Sequence, residues 1–217
     1  MIDELERLVE SGEWPVGTRI PPEPELMRDL QVSRNTLREA VRALVHTGVL
    51  DSRPGDGTYV AATDGFAAAL ARRFRHSEAL EILDVRRMIE RDAAGMAARR
   101  RTADDIENLR TLERRRTQVE TGHDRDASID AELAFHTAIV AAAHNSLMLD
   151  LYAFMTDAVR ESIAAVFATV EGGLEGHVTL HDQLLASIVA QDPVAAEHAA
   201  IEHLESVMAM LARGGMS

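Results

Sequence analysis

The chain has 217 residues, a length that accommodates two small domains. Hydrophobic residues make up 46% of it and aromatic residues only 4%, which favours helices packed closely through small side chains. The absence of cysteine excludes a disulfide framework and a thiolate metal site. No apolar run reaches the roughly 18 residues of a transmembrane helix. The acidic start MIDELERLVE lacks a signal-peptide core, so we expect a cytoplasmic protein.

The net charge of −13 argues against nucleic-acid binding if the chain is taken as a whole. Residues 1–62 hold 7 Arg against 11 Asp and Glu, so this segment is also acidic. Residues 33–53, however, hold four Arg against two acidic residues. The positive charge is therefore local, and any specificity for nucleic acid must depend on a few contacts.

The N-terminal part of the chain predicts a helix-turn-helix. Helices are predicted at Ile2–Ser11 and Pro24–Leu30, and a third begins after Ser33, whose hydroxyl suits the free N–H groups of a helix start. The third helix has an apolar stripe at helical spacing, formed by Val32, Leu37, Val41, Leu44 and Val45.

Arginines occupy another face of that third helix. Arg34, Arg38 and Arg42 follow one another at intervals of four, and Asn35 lies beside the first of them. Guanidinium groups on one exposed face suit phosphate contact and guanine readout in a major groove. The spacing alone is equally compatible with an ordinary helix that has a solvated charged face.

A β-hairpin is predicted after the third helix. Its strands are Val49–Arg53 and Thr58–Val60, joined by the turn Arg53-Pro54-Gly55-Asp56-Gly57. Residues 63–77 form a predicted linker with a short helix near 66–74.

The remainder, residues 78–217, has a helical pattern throughout, and no strand pattern follows Val60. Breaks are marked by Thr102, the Thr121-Gly122 and His144-Asn145-Ser146 segments, Gly172-Gly173 and Asp192-Pro193. We predict an all-α antiparallel bundle with helices near 78–100, 103–121, 126–143, 146–170, 174–190 and 193–212.

Four polar residues are predicted to point into this bundle. Glu132 and His136 are one turn apart on the apolar face of their helix, and His181 and His203 lie on the apolar faces of two later helices. A single inward histidine is usually a hydrogen-bonded core residue. Three of them with a carboxylate are costly to bury without a shared partner, and together they could hold one metal ion.

Arg86 is a further inward residue, aligned with the apolar positions of its helix. A buried guanidinium needs an anionic partner. That partner is either an internal carboxylate such as Glu90 or the carboxylate of a bound organic acid, which arginine binds in a bidentate manner. The sequence leaves both alternatives open.

The first 60 residues resemble the winged helix-turn-helix of the GntR family of bacterial transcription regulators. The resemblance is carried by GTRIPPEPEL at 17–26, VSRNTLREA at 32–40 and GDGTYV at 55–60. Pro24 is a departure, because family members usually have a basic, DNA-contacting residue there. The resemblance implies a homodimer that binds a palindromic operator. The expected DNA-binding residues are Ser33, Arg34, Asn35, Thr36, Arg38, Arg53 and Gly55.

The bundle resembles the FCD ligand-binding domain of the FadR subgroup of that family. Many FCD domains bind a divalent metal through Asp-x-x-x-His and one His on each of the last two helices, which here correspond to Glu132, His136, His181 and His203. Glu132 replaces the commoner Asp, and Leu180 replaces a frequent Glu. Such ligands suit Zn²⁺, Ni²⁺ or Mn²⁺. The resemblance also implies a small carboxylate effector, for which Arg86 and Asn145 are candidates; Asn145 is equally suited to capping a helix.

The function predicted from these features is that of a metabolite-responsive transcription regulator with a metal-assisted organic-acid pocket. One alternative is a regulator for which the metal itself is the signal. A second is an all-α metalloenzyme. The chain has one Glu–His pair at i, i+4 and lacks the repeated carboxylate–His motifs of di-iron bundles, which argues against the enzyme.

Overall fold

The computed structural model describes residues 1–120, 124–169 and 177–214. The chain divides into two units, Met1–Arg73 and Phe74–Ser217. The predicted fold class is confirmed: a small helical unit with a β-hairpin precedes a unit that is helical wherever it is described. Within these residues no helix combines the length and apolar character that crossing a membrane requires.

The first unit is a helix-turn-helix followed by a hairpin, with boundaries close to those predicted. Ser33 caps the third helix by accepting a hydrogen bond from the Thr36 amide, and Gly48 ends it with a φ of +87°. The two strands are antiparallel, with Leu50 opposite Val60. The elements are α1 (Ile2–Glu10), α2 (Glu23–Asp29), α3 (Arg34–Thr47), β1 (Leu50–Arg53) and β2 (Gly57–Val60).

A single apolar core holds this unit together. Leu37 and Leu44 of α3 are each 1% exposed and pack with Leu5, Trp14 and Val60. The buried stripe fixes the rotation of α3, because a helix can turn only one face to the core. The face that carries the arginines is therefore exposed.

The second unit contains the helices of the bundle. The predicted short helix at 66–74 is observed as α4 (Gly65–Arg75), and the boundary between the two units falls within it. Predicted helix ends at 121 and 170, and the predicted start at 174, lie outside the described residues. The remaining elements are α4 (Gly65–Arg75), α5 (Ala79–Arg100), α6 (Ala103–Glu120), α7 (Arg125–Ala142), α8 (Ser146–Phe154), α9 (Thr156–Thr169), α10 (His177–Val189) and α11 (Pro193–Gly214).

The prediction of one helix over 146–170 is wrong. The helix ends at Phe154, and Met155 leaves the helical conformation with φ −102° and ψ 6° before α9 begins. The Met155 amide bonds to the Tyr152 carbonyl, three residues back instead of four. Met155 is fully buried, so packing in the bundle fixes a break that no glycine or proline marks.

Helices α5 and α11 pack closely through small side chains. Ala94 and Ala97 on α5, with Ala196 and Ala200 on α11, are at most 2% exposed and belong to one core cluster. Small residues let two helix backbones approach each other, as the low aromatic content led us to expect. The contact places the helix that carries Arg86 beside the helix that carries His203.

Two consecutive arginines at the end of α5 bond to the ends of two other helices. Arg100 Nη1 donates to the Ala143 carbonyl at 3.0 Å, at the end of α7. Arg101 Nη2 donates to the Val189 carbonyl at 2.8 Å, at the end of α10. Cations at helix C-termini satisfy free carbonyl groups and complement the helix dipole.

Candidate DNA-binding surface and metal centre

The N-terminus of α3 presents the polar residues predicted to contact DNA. Residues Ser33, Arg34, Asn35, Thr36 and Arg38 are all exposed. The Ser33 and Thr36 hydroxyl oxygens lie 2.8 Å apart, and the Thr36 amide donates to Ser33 Oγ at 3.2 Å. Their hydroxyl groups thus bond to each other while Arg34 and Asn35 face solvent.

A carboxylate of α2 lies between two of the α3 arginines. Glu23 Oε1 is 3.7 Å from Arg34 Nε and 3.9 Å from Arg38 Nε. Both distances exceed those of hydrogen bonds, and the arginine side chains are more than half exposed. Each guanidinium group therefore has Glu23 on one side and solvent on the other.

The hairpin presents Arg53 and Gly55. Arg53 stacks on the ring of Tyr59, with its Cζ 4.0 Å from the ring centroid, and its Nε lies 3.1 Å from Asp51 Oδ2. Gly55 is exposed in the turn with a φ of +79°, a conformation that favours glycine. Both predicted residues lie at or beside the hairpin turn.

Sequence reasoning missed Arg19, which lies next to this hairpin. Arg19 forms an isolated antiparallel bridge with Tyr59, and the Ile20 amide donates to the Thr58 carbonyl at 2.9 Å. Arg19 also lines a groove of about 450 Å³ that is bordered by α3 and the hairpin, together with Arg38 and Arg42. Arg19 lies within the GTRIPPEPEL segment, but nothing in that sequence shows that it pairs with the hairpin.

In the bundle, the structure brings the three predicted histidines together. His136 of α7, His181 of α10 and His203 of α11 are each at most 3% exposed. Their ligand nitrogens all lie within 4.8 Å of one another, and the Nε2 atoms of His136 and His181 are 3.3 Å apart. Three imidazoles on three helices thus converge on one point.

Glu132 adjoins two of these rings. Its Oε2 lies 3.1 Å from His181 Nε2 and 3.5 Å from His136 Nε2. Among the described residues, the three histidines are the group whose ligand atoms all lie close to one another, and Glu132 does not belong to that group. Although burial raises its pKa, the charges and hydrogen bonds of His181 and His136 lower the pKa of Glu132 well below its usual range.

Glu90, which the sequence suggested only as a partner of Arg86, is the centre of a buried network. Its Oε1 accepts from Arg86 Nε at 2.7 Å and from the Tyr152 hydroxyl at 2.8 Å. Its Oε2 lies 2.8 Å from His136 Nδ1. Arg86 therefore has the internal carboxylate partner that was one of the two alternatives, and the same carboxylate orients a histidine of the cluster.

Burial and charge shift the titration of this network in opposite directions. Burial raises the pKa of Glu90, but the charges of Arg86 and His136 lower it to a net value well below the usual range. Burial lowers the pKa of His136, whereas Glu90 raises it, and the net shift is upward. Burial and the neighbouring imidazoles lower the pKa of His203 well below its usual range. His203 is therefore neutral, as a metal ligand must be.

Sequence reasoning also missed Arg116 of α6, which is fully buried. Its Nε and Nη2 donate to the two oxygens of Glu113 at 3.0 and 2.8 Å. Its Nη1 donates to Glu132 Oε1 at 3.1 Å. In the sequence Arg116 lies within Arg114–Arg116, a run typical of a solvated helix face, so nothing marked it as buried.

A small cavity of about 30 Å³ lies beside the histidines. A water molecule needs roughly 10–15 Å³ of such volume, so the cavity has room for an ion or a few small atoms. Four of its lining side chains are apolar and four are polar or charged: Ile163, Val166, Phe167 and Val207, with Arg86, Glu132, His181 and His203.

Asn145 has the capping role that was one of its two alternatives. Its Oδ1 accepts a hydrogen bond from the Met148 amide at 3.3 Å, at the start of α8. Asn145 is not among the described residues that line the cavity.

Two family profiles match the chain. The profile of the FCD domain matches residues 81–206, and that of the bacterial regulatory proteins of the gntR family matches residues 1–60. The two matches correspond to the helical bundle and to the helix-turn-helix with its hairpin.

Individual proteins match over nearly the whole length. The HTH-type transcriptional regulator LutR of Bacillus subtilis is 25% identical over 210 residues, covering 92% of this chain and 94% of that protein. The Uxu operon transcriptional regulator of Escherichia coli is 28% identical, covering 88% and 77%. The solved structure of a Streptococcus agalactiae GntR superposes with a TM-score of 0.65 and 26% identity, covering 96% and 97%.

Proposed function

The chain belongs to the GntR family of bacterial transcription regulators and has a C-terminal FCD domain, and from this premise we propose that it is a metal-dependent regulator responding to a small carboxylate. Its families and curated relatives are transcription regulators and not enzymes, so the metalloenzyme alternative is set aside.

We propose that the protein binds a palindromic operator as a homodimer. Two copies related by a two-fold axis present two recognition helices to two half-sites, which sets register and raises affinity. The exposed apolar side chains Met88 of α5 and Leu147 and Leu151 of α8 support the bundle as the dimer surface, because they lie on the unit that holds none of the residues proposed to contact DNA.

The observation that carries the metal site is the composition of the buried polar cluster. Three imidazoles and one carboxylate provide the nitrogen and oxygen ligands that Zn²⁺, Ni²⁺ and Mn²⁺ accept. Around them, among the described residues, two buried guanidinium groups face three buried carboxylates, so one negative charge is in excess when the imidazoles are neutral, the form in which they bind a metal. A divalent cation would offset this excess and leave one positive charge for an anionic ligand. The residues are Arg86 and Arg116, with Glu90, Glu113 and Glu132.

We propose that Arg86 and the cation together receive the effector carboxylate. The bound cation would supply a Lewis-acidic contact for one carboxylate oxygen. Arg86 lines the cavity, and while its Nε is held by Glu90, its guanidinium still has other N–H groups. The apolar wall of Ile163, Val166 and Phe167 would face the rest of a small acid.

The volume of the cavity favours a second candidate, in which the metal alone is the signal. About 30 Å³ accommodates an ion more readily than an organic acid. An effector would therefore have to widen the cavity, whereas an ion would enter it as it is.

One titration separates the two candidates. The protein is stripped with a chelator, and its affinity for DNA selected from a random pool is measured before and after adding Zn²⁺, Ni²⁺ or Mn²⁺, and then with small monocarboxylates. Carboxylate effects that require the metal support the first candidate, and an effect of metal alone supports the second. If neither addition changes DNA affinity and no metal binds, both are refuted.

A further inference from the structure

Arg116 has an environment unlike that of its neighbours on α6. Its side chain is fully buried, whereas the Arg114 side chain two residues earlier is 61% exposed. Burying a guanidinium group costs roughly several kcal/mol unless its N–H groups bond to charged partners. Within the part of the chain that the structure describes, its charged partners are Glu113 of its own helix and Glu132 of α7.

The two oxygens of Glu132 have different neighbours. Arg116 Nη1 donates a hydrogen bond to Oε1 at 3.1 Å, while Oε2 lies 3.1 Å from His181 Nε2. Glu113 binds Arg116 through both of its own oxygens, which fixes the plane of the guanidinium. The Glu132 carboxylate therefore has one oxygen for Arg116 and the other for the histidine cluster.

We propose that Arg116 is a positioning residue that holds Glu132 so that a single oxygen ligates the cation. This inference rests on the proposed metal site. Outer partners of ligating carboxylates fix their orientation and contribute to metal affinity. Arg116 acts through Glu132 and does not itself touch the ion.

A double-mutant cycle tests this role. Zn²⁺ affinity is measured by competition with a chelating dye for the wild type, Arg116→Met, Glu132→Gln and the double variant. We expect Arg116→Met to weaken Zn²⁺ binding by about 10–100-fold in the wild-type background. It should have almost no further effect beside Glu132→Gln, because the two residues act as one unit. Arg114→Met, exposed on the same helix, is the matched control.

The absorption spectrum of the Co²⁺-loaded protein gives a second readout. Arg116→Met should alter it by releasing the second oxygen of Glu132, and Arg114→Met should not. Equal losses of Zn²⁺ affinity in both backgrounds would overturn the positioning role and leave the metal site intact. No Zn²⁺ binding by the wild type would overturn both. If Arg116→Met does not fold, Arg116→Lys replaces it in the same cycle.

Arg19 of the DNA-binding unit lies against the backbone of the hairpin. A Cβ placed on Gly57 would lie 2.8 Å from Arg19 Cζ and 3.0 Å from its Nη2, so the guanidinium lies directly against the glycine backbone. Gly57 has a φ of +147°, which further restricts the position to glycine. The hairpin thereby holds the Arg19 side chain at the groove beside α3.

Arg19 differs from the arginines that share its groove in the carboxylates that surround it. Arg38 is near Glu23, and Arg42 lies 2.9 Å from Glu39. Within the described residues no carboxylate is within 4.0 Å of Arg19, and Pro24 of the adjacent helix adds no charge. An uncompensated guanidinium in a groove next to a recognition helix suits an anion supplied from outside.

We infer that Arg19 binds a backbone phosphate of the operator. A phosphate contact contributes nearly equally to every DNA sequence and releases a bound counterion. Arg19→Gln should therefore lower affinity for specific and random DNA by similar factors. It should also reduce the slope of log affinity against log salt by about 0.9.

Fluorescence anisotropy at several salt concentrations measures both quantities. Arg7→Gln removes an exposed arginine of α1 that pairs with Glu4 and should leave the slope unchanged. Arg19→Lys keeps the charge and should restore the slope. An unchanged slope for Arg19→Gln would overturn the inference, and a loss confined to the specific sequence would mean that Arg19 contacts a base.

Discussion

The substitution Glu90→Gln tests whether the buried network stabilises the bundle. It removes the charge that faces Arg86 and His136 and that also accepts the Tyr152 hydroxyl. Arg86 is 2% exposed and Glu90 3%, so the remaining guanidinium would be a buried charge without its closest partner. Breaking such a pair costs about 3–5 kcal/mol. We expect the free energy of unfolding of the bundle to fall by about that amount.

Urea denaturation of the metal-free protein provides an internal reference. Trp14 is the single tryptophan and belongs to the unit Met1–Arg73, so its fluorescence reports on the DNA-binding unit. Far-UV circular dichroism reports mainly on the helices of the bundle. The variant should shift the dichroism transition and leave the Trp14 transition unchanged. Glu205→Gln, which removes an exposed partner of Arg87, should cost about 1 kcal/mol or less.

The stabilisation that Glu90 contributes should depend on pH in a direction set by its pKa. The pKa of Glu90 is lower in the folded state than its unfolded value of about 4.3. Its stabilising contribution is therefore fully present above that pH and is lost as the pH falls below it. The stability difference between wild type and Glu90→Gln should narrow below about pH 4. Near neutral pH it should decrease as the pH rises through the pKa of His136, because Glu90 shifts that pKa upward. A difference under about 1 kcal/mol near neutral pH, or one that widens as the pH falls below about 4, would refute the reasoning.

Three further predictions concern metal, DNA and assembly. His181→Ala/His203→Ala should abolish metal binding and the rise in melting temperature that metal causes, because ligand binding to the folded state raises stability. The control is His198→Ala, whose side chain is 70% exposed on the same helix as His203, and it should retain full metal stoichiometry. Arg34→Ala/Arg38→Ala should weaken operator binding by about 1–3 kcal/mol for each lost bidentate guanine contact, and unchanged affinity would exclude α3 as the recognition helix. Light scattering at micromolar concentration should show a dimer, and a monomer would contradict the proposed assembly.

The sequence predicted most of the fold because its helices carry clear start and stop signals. Ser33 caps the start of α3, and Pro193 begins α11 at the predicted position. The break at Met155 was missed because it has no such signal and arises from packing. The convergence of the histidines was predictable from helical periodicity, since each lies on the apolar face of its own helix. The role of Arg116 was not predictable, since only the folded structure brings a residue of α6 to Glu132.

The bonds from the end of α5 limit how the cavity beside the histidines can enlarge. Arg100 and Arg101 are adjacent in sequence, yet they fasten the carboxyl ends of α7 and α10. Neither of these helices can slide along its axis without giving up a charged hydrogen bond, so His136 and His181 keep their relative height. Tilting about the fastened ends retains both bonds. We therefore expect a ligand larger than an ion to enter by tilting α7 and α10 apart, with each helix rotating about the end that an arginine holds.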